Sequence, residues 1–468
     1  MNSVEESRFE ELLAWGKQHG ATLHEQVEVY NDALTKYSLR VKASAPAPDH
    51  GFAVVKCPAS VTLSYINALT GGPLPCNLSA DTQLSPSFPA SFMSSLPPHV
   101  IGRFFLIQQY LRGPQSFWYP YIRTLPQPER LASWALPAFW PEEDIEFFEG
   151  TNAEVAIREV QANVKGEFKQ ARRVLKEDGF PGWQDYSRLL YNWAFCMFTS
   201  RSFRPTTVLS EEVREGVRRI LPTTCKDDDF SVLMPVMDIA NHQLRAKVTW
   251  DTVSDPRACH FVSCDAYQPG RQIFNNYGMK TNSELLLGYG FIIPESEGLH
   301  NDYIHLRKRG PEGAEGNDPG GETKPKDFLV SLRPMQDPSS VVGRSRQRLR
   351  TGGDFEVTPV LSYIEDSLVW DLVVAQAGHD EQLREALESI VDKIRTALLA
   401  KLSFDYAKIL DPEVYEDGEP ALIPANQNQE LAAAYRLQCK KILETGIKLL
   451  GGQLEGQGGD VLSGVEAR

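Results

Sequence analysis

No glycine-rich phosphate loop of the Walker type, no G-x-G-x-x-G between a strand and a helix, and no G-x-S-x-G elbow occurs in this chain of 468 residues. Their absence removes P-loop and dinucleotide binding and the commonest hydrolase signature. Nor is there a run of eighteen apolar residues, and the opening "MNSVEESRFEELLAWGKQHG" has no basic-then-apolar signal pattern. A soluble, non-secreted protein without membrane contact is expected. Cysteine is sparse, seven in all, scattered and without a CxxC pair, so neither a disulfide framework nor a zinc knuckle is indicated. The nearest approach to a ligand cluster is Cys259, His260, Cys264 and His242, whose spacing fits no closed zinc pattern, and no metal is expected. Reduced thiols fit a cytoplasmic protein, with the nucleus as a second compartment. Basic residues are in deficit, 48 Lys and Arg against 62 Asp and Glu, a formal charge of -14. That balance argues against nucleic-acid or anionic-membrane binding and suits a basic protein substrate.

What is present is ordinary for globular protein, 42% hydrophobic and 24% charged, in a chain long enough for two or three domains. Phe9, Leu12, Leu13 and Trp15 give an amphipathic helix from Glu5 to Lys17, with Gly20 as its C-cap. The runs "YSLRVKAS", "GFAVVKCP" and "VTLSYI" read as short strands separated by breakers. From Pro97 to Thr224 the pattern is helical, and strand character returns from Phe230 to Leu306. One β-rich domain split by a helical insertion is therefore expected. Gly, Pro and charge fill "RKRGPEGAEGNDPGGETKPKD", a surface loop. Helical periodicity resumes in "EDSLVWDLVVAQAG", "EQLREALESIVDKIRTALLAKL" and "NQELAAAYRLQCKKILETGIKLL", where Leu431, Ala434, Tyr435, Leu437 and Ile442 are expected to share a face. The domain reading is 1–96 for the N-terminal helix and first part of the core, 97–225 for the insertion, and 226–308 for the second part of the core. A loop at 309–327, a helical domain at 328–455 and a disordered tail at 456–468 follow.

Chemistry concentrates in two blocks, "MPVMDIANH" at 234–242 and "FNNYGMKTNSELLLGYGF" at 274–291. Singly, their residues have structural readings: Asp238 caps a turn, Asn241 and His242 occupy a tight turn, and Tyr277 and Tyr289 are core tyrosines. Jointly, Pro235, Asp238, Asn241 and His242, followed by Tyr277, Gly278, Asn282, Glu284, Leu285, Leu286, Tyr289, Gly290 and Phe291, resemble the signature of the SET-domain protein methyltransferases. The resemblance is to the class of the Rubisco large-subunit lysine methyltransferase, in a fungal-type member. "HGFAVVKCPASVTLS" is similar to that class's first motif, "SFWYPYIRTLP", "LPAFWPEEDIEFFEGTN" and "FTSRSF" to its helical insertion, and the C-terminal third to its substrate-binding domain.

The resemblance implies an α+β fold: a β-rich SET core of short strands with a pseudoknot, split by an α-helical insertion, plus an all-α substrate-binding domain. It implies methyl transfer from S-adenosylmethionine to a protein lysine, with cofactor and peptide entering from opposite faces. Tyr277 is then the catalytic tyrosine, orienting amine and methyl. Gly51, Phe52, Ala53, Arg201, Asp238, Asn241 and His242 then bind the cofactor, with the Arg201 guanidinium paired to the cofactor's carboxylate. Tyr289 and Phe291 line the lysine channel. Two departures stand out, Gln243 after Asn-His and a first motif, "DHGFAV", without the Arg or second Gly of many relatives. No Cys-rich segment follows the second block, which favours a non-histone substrate such as a ribosomal protein or elongation factor, bound by a monomer. Histidine methylation and a catalytically weak binding module are the competing readings.

Overall fold

In the computed structural model, the structure describes residues 3–48, 51–75, 78, 84–278, 280–294, 303–308, 326–331, 383–410 and 422–451. The chain divides into two compact units. The first comprises 1–139, 158–279 and 288–290, and the second 140–157, 280–287 and 291–468.

Short antiparallel strands build the first unit. β1 (Thr22–Leu23), β4 (Phe52–Pro58), β9 (Ala258–Ser263) and β8 (Val248–Asp251) form a sheet in the order β1-β4-β9-β8. The apolar alternation of "FAVVKCP" and "ACHFVS" turns Phe52, Val54, Cys57, Cys259 and Phe261 into the core. A second sheet has the order β10-β3-β2, from Gln272–Ile273, Lys36–Val41 and Val27–Asp32. A third joins β5 (Leu63–Ser64), β7 (Val232–Leu233) and β6 (Ser202–Phe203) in the order β5-β7-β6. β2 was absent from the sequence reading. It turns into β3 through Asp32, whose Oδ1 accepts from the Leu34 and Thr35 amides at 2.9 and 2.8 Å, an Asx turn without glycine. "VTLSYI" is a strand only at Leu63–Ser64, because Ser64 and Asn67 form a capping box that starts the Tyr65–Thr70 helix.

The N-terminal helix packs on β1, and helices of the insertion pack on β5, β6 and β7. The N-terminal helix spans Ser3–Gln18 and buries Phe9, Leu12 and Trp15. The Pro98–Leu111 helix begins on proline and buries Ile101, Phe104, Phe105 and Ile107. Its Gly102 lies so close to the Tyr65 amide that an added Cβ would sit 3.3 Å away. Arg188–Arg201 is capped by Ser187, which accepts from the Leu190 amide at 3.2 Å, and it buries Trp193, Met197 and Phe198. This helix ends on Arg201 and runs directly into β6, which pairs with β7, so one short strand pair joins "FTSRSF" to the start of "MPVMDIANH".

In the second unit, helices Leu383–Leu410 and Gln427–Leu449 stand with a hairpin of β11 (Tyr303–Lys308) and β12 (Lys326–Ser331). The buried stripe of the last helix is Ala432, Tyr435, Cys439, Ile442, Leu443 and Ile447, with spacing of three and four. Leu437, expected on that face, is 67% exposed, and Ala434 is exposed as well. The reason is angular: both lie a quarter turn or more off the line set by Tyr435 and Cys439. Asp144, 2% exposed, accepts from the side-chain amides of Asn426, Asn428 and Gln429 at 2.8, 2.8 and 2.9 Å and so fixes the start of this helix. The expected helix at 365–378, the tail at 456–468 and the loop at 309–327 up to residue 325 lie outside the described residues, whereas 326–327 of that loop and 328–331 of the expected all-helical domain form β12, paired along its length with β11.

Candidate active site

The first block leaves β7 through a strained turn. Val236 has φ +71° and ψ -40°, unusual for a β-branched residue and worth about 1–3 kcal/mol of strain. It is fully buried, so packing holds the conformation, and it sends Met237–Ile239 into a single tight turn. Asp238 thereby points inward with its side chain 2% exposed. Its carboxylate accepts from the buried Tyr121 hydroxyl at 2.9 Å and faces the Arg201 guanidinium at 3.4 Å. Burial pushes the Asp238 carboxyl above the ordinary range, while Arg201 and Tyr121 hold it back. The Tyr121 phenol is driven well up by burial and by the charge of Asp238.

Asn241 and His242 follow. The Asn241 side-chain amide donates to the Thr35 and Tyr37 carbonyls at 3.2 and 3.5 Å, which joins this loop to the β2–β3 turn. His242 pairs in parallel with Asn275, and the Asn275 amide donates to the Asn241 carbonyl at 2.7 Å. That pairing brings the second block alongside the first.

Tyr277 is then fixed from several sides. Its amide donates to His242 Nδ1 at 3.0 Å, and its hydroxyl donates to the Ala240 carbonyl at 3.0 Å. Its ring stacks on His242 at 5.0 Å and 23° and on Tyr289 at 4.9 Å and 28°. Each such contact contributes about 0.5–1.5 kcal/mol beyond area burial. Burial raises the Tyr277 phenol, Arg201 opposes it in part, and Tyr289 and Asp238 add smaller upward effects, so it stays neutral across the physiological range. Gly278, at φ +101°, takes the backbone out of the stack in a conformation that glycine favours. Thr281 and Glu284 form a reciprocal cap for the helix Asn282–Tyr289: the Thr281 amide donates to Glu284 at 2.7 Å and the Glu284 amide to Thr281 at 3.2 Å. Asn282 clasps Ile293 in both directions, at 2.8 and 2.9 Å, closing the turn that follows.

A cavity of about 440 Å³ lies on the first block, with Arg8, Tyr37, Arg123, Arg201, Asp238 and Asn241 among its lining. Its size is that of a small-molecule site. Of the residues expected to hold a cofactor, Arg201, Asp238 and Asn241 meet there, and His242 is the next residue along the loop. Gly51, Phe52 and Ala53 do not line it. They open β4, where Gly51 turns at φ +76°, Phe52 packs edge-on against His24 at 5.2 Å, and a bulge separates Ala53 from Val55. The backbone that approaches Asn241 is Thr35–Tyr37 instead, with Lys36 at φ +61°. Of the expected channel residues, Tyr289 joins the stack, whereas the half-buried Phe291 belongs to the second unit.

No known protein-family model matches the chain. It is 27% identical over 293 residues to the ribosomal lysine N-methyltransferase set10 of Schizosaccharomyces pombe, covering 62% of this chain and 46% of that protein. It is 22% identical over 323 residues to the protein-lysine N-methyltransferase EFM1 of Saccharomyces cerevisiae, covering 62% and 50%. The human actin-histidine N-methyltransferase is 22% identical over 290 residues, covering 61% and 42%. The chain spans about half the length of the curated relatives it matches. Among solved structures, Rubisco LSMT bound to AdoMet superposes with a TM-score of 0.60 at 16% identity, covering 95% of this chain and 91% of that one.

The chain has a SET-domain fold.

Within the SET core, the two sequence blocks supply the loop from Asp238 to His242 and the stack on Tyr277. Tyr121, Thr35–Tyr37 and Arg8 were missed. Tyr121 meets Asp238 across 117 residues and Asn241 reaches Thr35 across 206, separations at which no local pattern speaks. The Asx turn at Asp32 was the available signal for Thr35–Tyr37.

Proposed function

We propose that this chain is an S-adenosylmethionine-dependent protein-lysine N-methyltransferase whose substrate is a non-histone protein of the ribosomal or translation-factor kind, working in the cytoplasm. The fold, the order of the two blocks and the lysine methyltransferases among the relatives support the activity. The single observation that carries it is Tyr277, a neutral phenol locked between His242 and Tyr289 with its hydroxyl committed to the carbonyl of Ala240, whose loop supplies Asp238 and Asn241 to the cavity.

When bound, S-adenosylmethionine supplies a methyl already activated by its sulfonium. The cavity fits such a group: Asn241, Arg201 and the half-buried Arg8 offer polar contacts, and the loop at 238–242 offers backbone. What remains for the protein is to hold an amine that has lost its proton. A free lysine, with pKa ~10.4, is almost wholly protonated at neutral pH. A sheltered channel lowers that value, and a neutral phenol oxygen accepts from the amine without the full negative charge that would retain the proton. Tyr277 has that property because its proton is directed at Ala240, leaving its lone pairs for an incoming donor. The charge of -14 favours a basic protein partner over nucleic acid. The C-terminal helices are the proposed substrate-binding domain.

Transfer of label from tritiated S-adenosylmethionine to lysate proteins tests this, with wild type compared with Tyr277→Phe. A labelled band that falls by more than ~10-fold in the variant, an effect on the order of one well-placed catalytic hydrogen bond, supports the assignment. Mass spectrometry of the band then reads lysine or histidine, and histidine would replace the lysine reading. Absence of cofactor binding would overturn the function altogether.

A further inference from the structure

Basic side chains, in deficit over the chain as a whole, gather on one helix. Asn152–Glu177 carries Lys165, Lys169, Arg172, Arg173 and Lys176 in its C-terminal half, all within the first unit. At about 100° per residue they share an arc of roughly 100° and run for about 16 Å along the axis. The carboxylates of this stretch lie off that arc: Glu167 is turned inward to His99, Arg103 and Tyr191, and Glu177 meets Arg173 only at 3.9 Å. Lys165, Lys169 and Lys176 are exposed, Arg172 is half-buried, and none of these four makes an ion pair among the described residues.

The helix itself has no use for this arrangement. Lys165 and Lys169, Lys169 and Arg173, and Arg172 and Lys176 are like charges four residues apart, each a destabilising pair. A helix C-terminus does attract cations, but only over its last turn, and Lys165 and Lys169 stand two turns or more before it. Trp183 lies against the row, with the Arg172 guanidinium over its ring at 5.0 Å and the Lys176 ammonium at 5.6 Å. It is half-buried, so part of it stays open to solvent beside the cations.

The charge of -14 disfavours nucleic acid for the surface as a whole, but at physiological salt a field is screened over about 8 Å, so a row of this length acts by itself. Cations with an aromatic side chain among them suit a single strand of nucleic acid, which sets its phosphates on the charges and an unpaired base on the ring. A carboxylate-rich protein would use the charges alone.

We propose that the outer face of this helix binds single-stranded nucleic acid, its phosphates along Lys165, Lys169, Arg172 and Lys176 and a base against Trp183. None of these residues lines the cavity on the first block. The strand is a second partner beside the protein substrate, and its binding does not depend on the methyltransferase reading.

Fluorescence anisotropy on the full chain tests this with labelled oligomers of uridylate, thymidylate, abasic phosphodiester and glutamate, each about fifteen units long. The expectation is that one or both base-carrying strands bind and lose affinity by roughly 50-fold between about 50 and 200 mM salt, since four phosphate contacts give a slope of about 2.8. The abasic strand should bind at least ~5-fold more weakly, the scale of one stacked base. Lys165→Glu combined with Lys169→Glu should weaken the strands by about tenfold or more and flatten the salt slope, whereas Lys448→Glu, an equally exposed cation of the second unit, should leave them within about twofold. Absence of binding by wild type would overturn the proposal, as would equal weakening by Lys448→Glu, which would make the attraction one of bulk charge. Glutamate oligomers bound as tightly as the strands would replace nucleic acid by an acidic protein, and an abasic strand bound as tightly would remove the base from Trp183.

Discussion

Replacing Asp238 by alanine should destabilise the first unit by about 2–3 kcal/mol, and the structure apportions that loss. The larger part is the Tyr121 hydroxyl, 1% exposed and 2.9 Å from the carboxylate, which would be left buried without its acceptor at roughly 1–3 kcal/mol. The smaller part is Arg201, whose side chain is 30% exposed and sits 3.4 Å away; water can replace its partner, for about 0.5 kcal/mol or less. Asp238→Asn keeps an oxygen for Tyr121 and removes a desolvated charge, so it should stay within about 1 kcal/mol of wild type. Urea unfolding followed by the buried Trp118 and Trp193, both in the same unit, measures the difference, and a cycle with Tyr121→Phe should show a coupling of about 1–2 kcal/mol. The pH dependence has a definite sign. Because burial places the folded carboxyl above its unfolded value, ionised Asp238 is a liability that grows as pH rises through that interval and is constant above it. Wild type should therefore lose stability relative to Asp238→Asn across the acidic range and not beyond. An asparagine variant as unstable as the alanine one, or a coupling near zero, would refute the account.

Two further substitutions probe other joints. Glu167 is partly desolvated, which alone would raise its carboxyl, but His99, Arg103 and Tyr191 at 2.9, 2.6 and 2.8 Å outweigh burial and hold it below the ordinary range. Its stabilising contribution is thus present above the unfolded glutamate pKa of ~4.3 and fades as pH falls through the folded value. Glu167→Gln should cost about 2–4 kcal/mol at pH 7 and little at acid pH, as melting temperatures measured across that range would show. Gly150→Ala should destabilise the second unit by more than about 2 kcal/mol, since φ is +79° there and the new Cβ would lie 2.2 Å from the Lys408 carbonyl oxygen. Increased hydrogen exchange in Leu383–Leu410 is the readout, and unchanged protection there would count against the close approach.

What the sequence disclosed followed the range over which each signal acts. β4 was readable in "GFAVVKCP" and the Arg188–Arg201 helix in "WQDYSRLLYNWAFCMFTSRSF", whereas the strand character expected from Phe230 to Leu306 gives way to a helix at Asn282–Tyr289, started by the cap of Thr281 and Glu284. Each is local physics. Leu437 and Ala434 were misplaced because a stripe on a helix tolerates apolar outliers, and only the packed neighbours say which residues are in. The candidate site was half legible. Asp238, Asn241, His242 and Tyr277 lie in two dense blocks, whereas Tyr121, Tyr37 and Arg8 enter from distant elements whose own sequences do not announce a partner. The Gly51 turn opens β4, and the cavity beside Asn241 is lined by a hairpin shaped by aspartate.

The bond between Asn241 and the Thr35 carbonyl spans 206 residues, and β10, near the end of the same unit, pairs with β3 near its start. Folding must close those loops before the cavity has walls, a topology that slows folding because the entropy of closure precedes its reward. During synthesis the β2–β3 hairpin leaves the ribosome with one edge of β3 unpaired, and the partner for that edge, Gln272–Ile273, is more than two hundred residues from emerging. For that interval one future wall of the cavity is an open strand edge, the kind of surface that pairs with other chains when it is left uncovered.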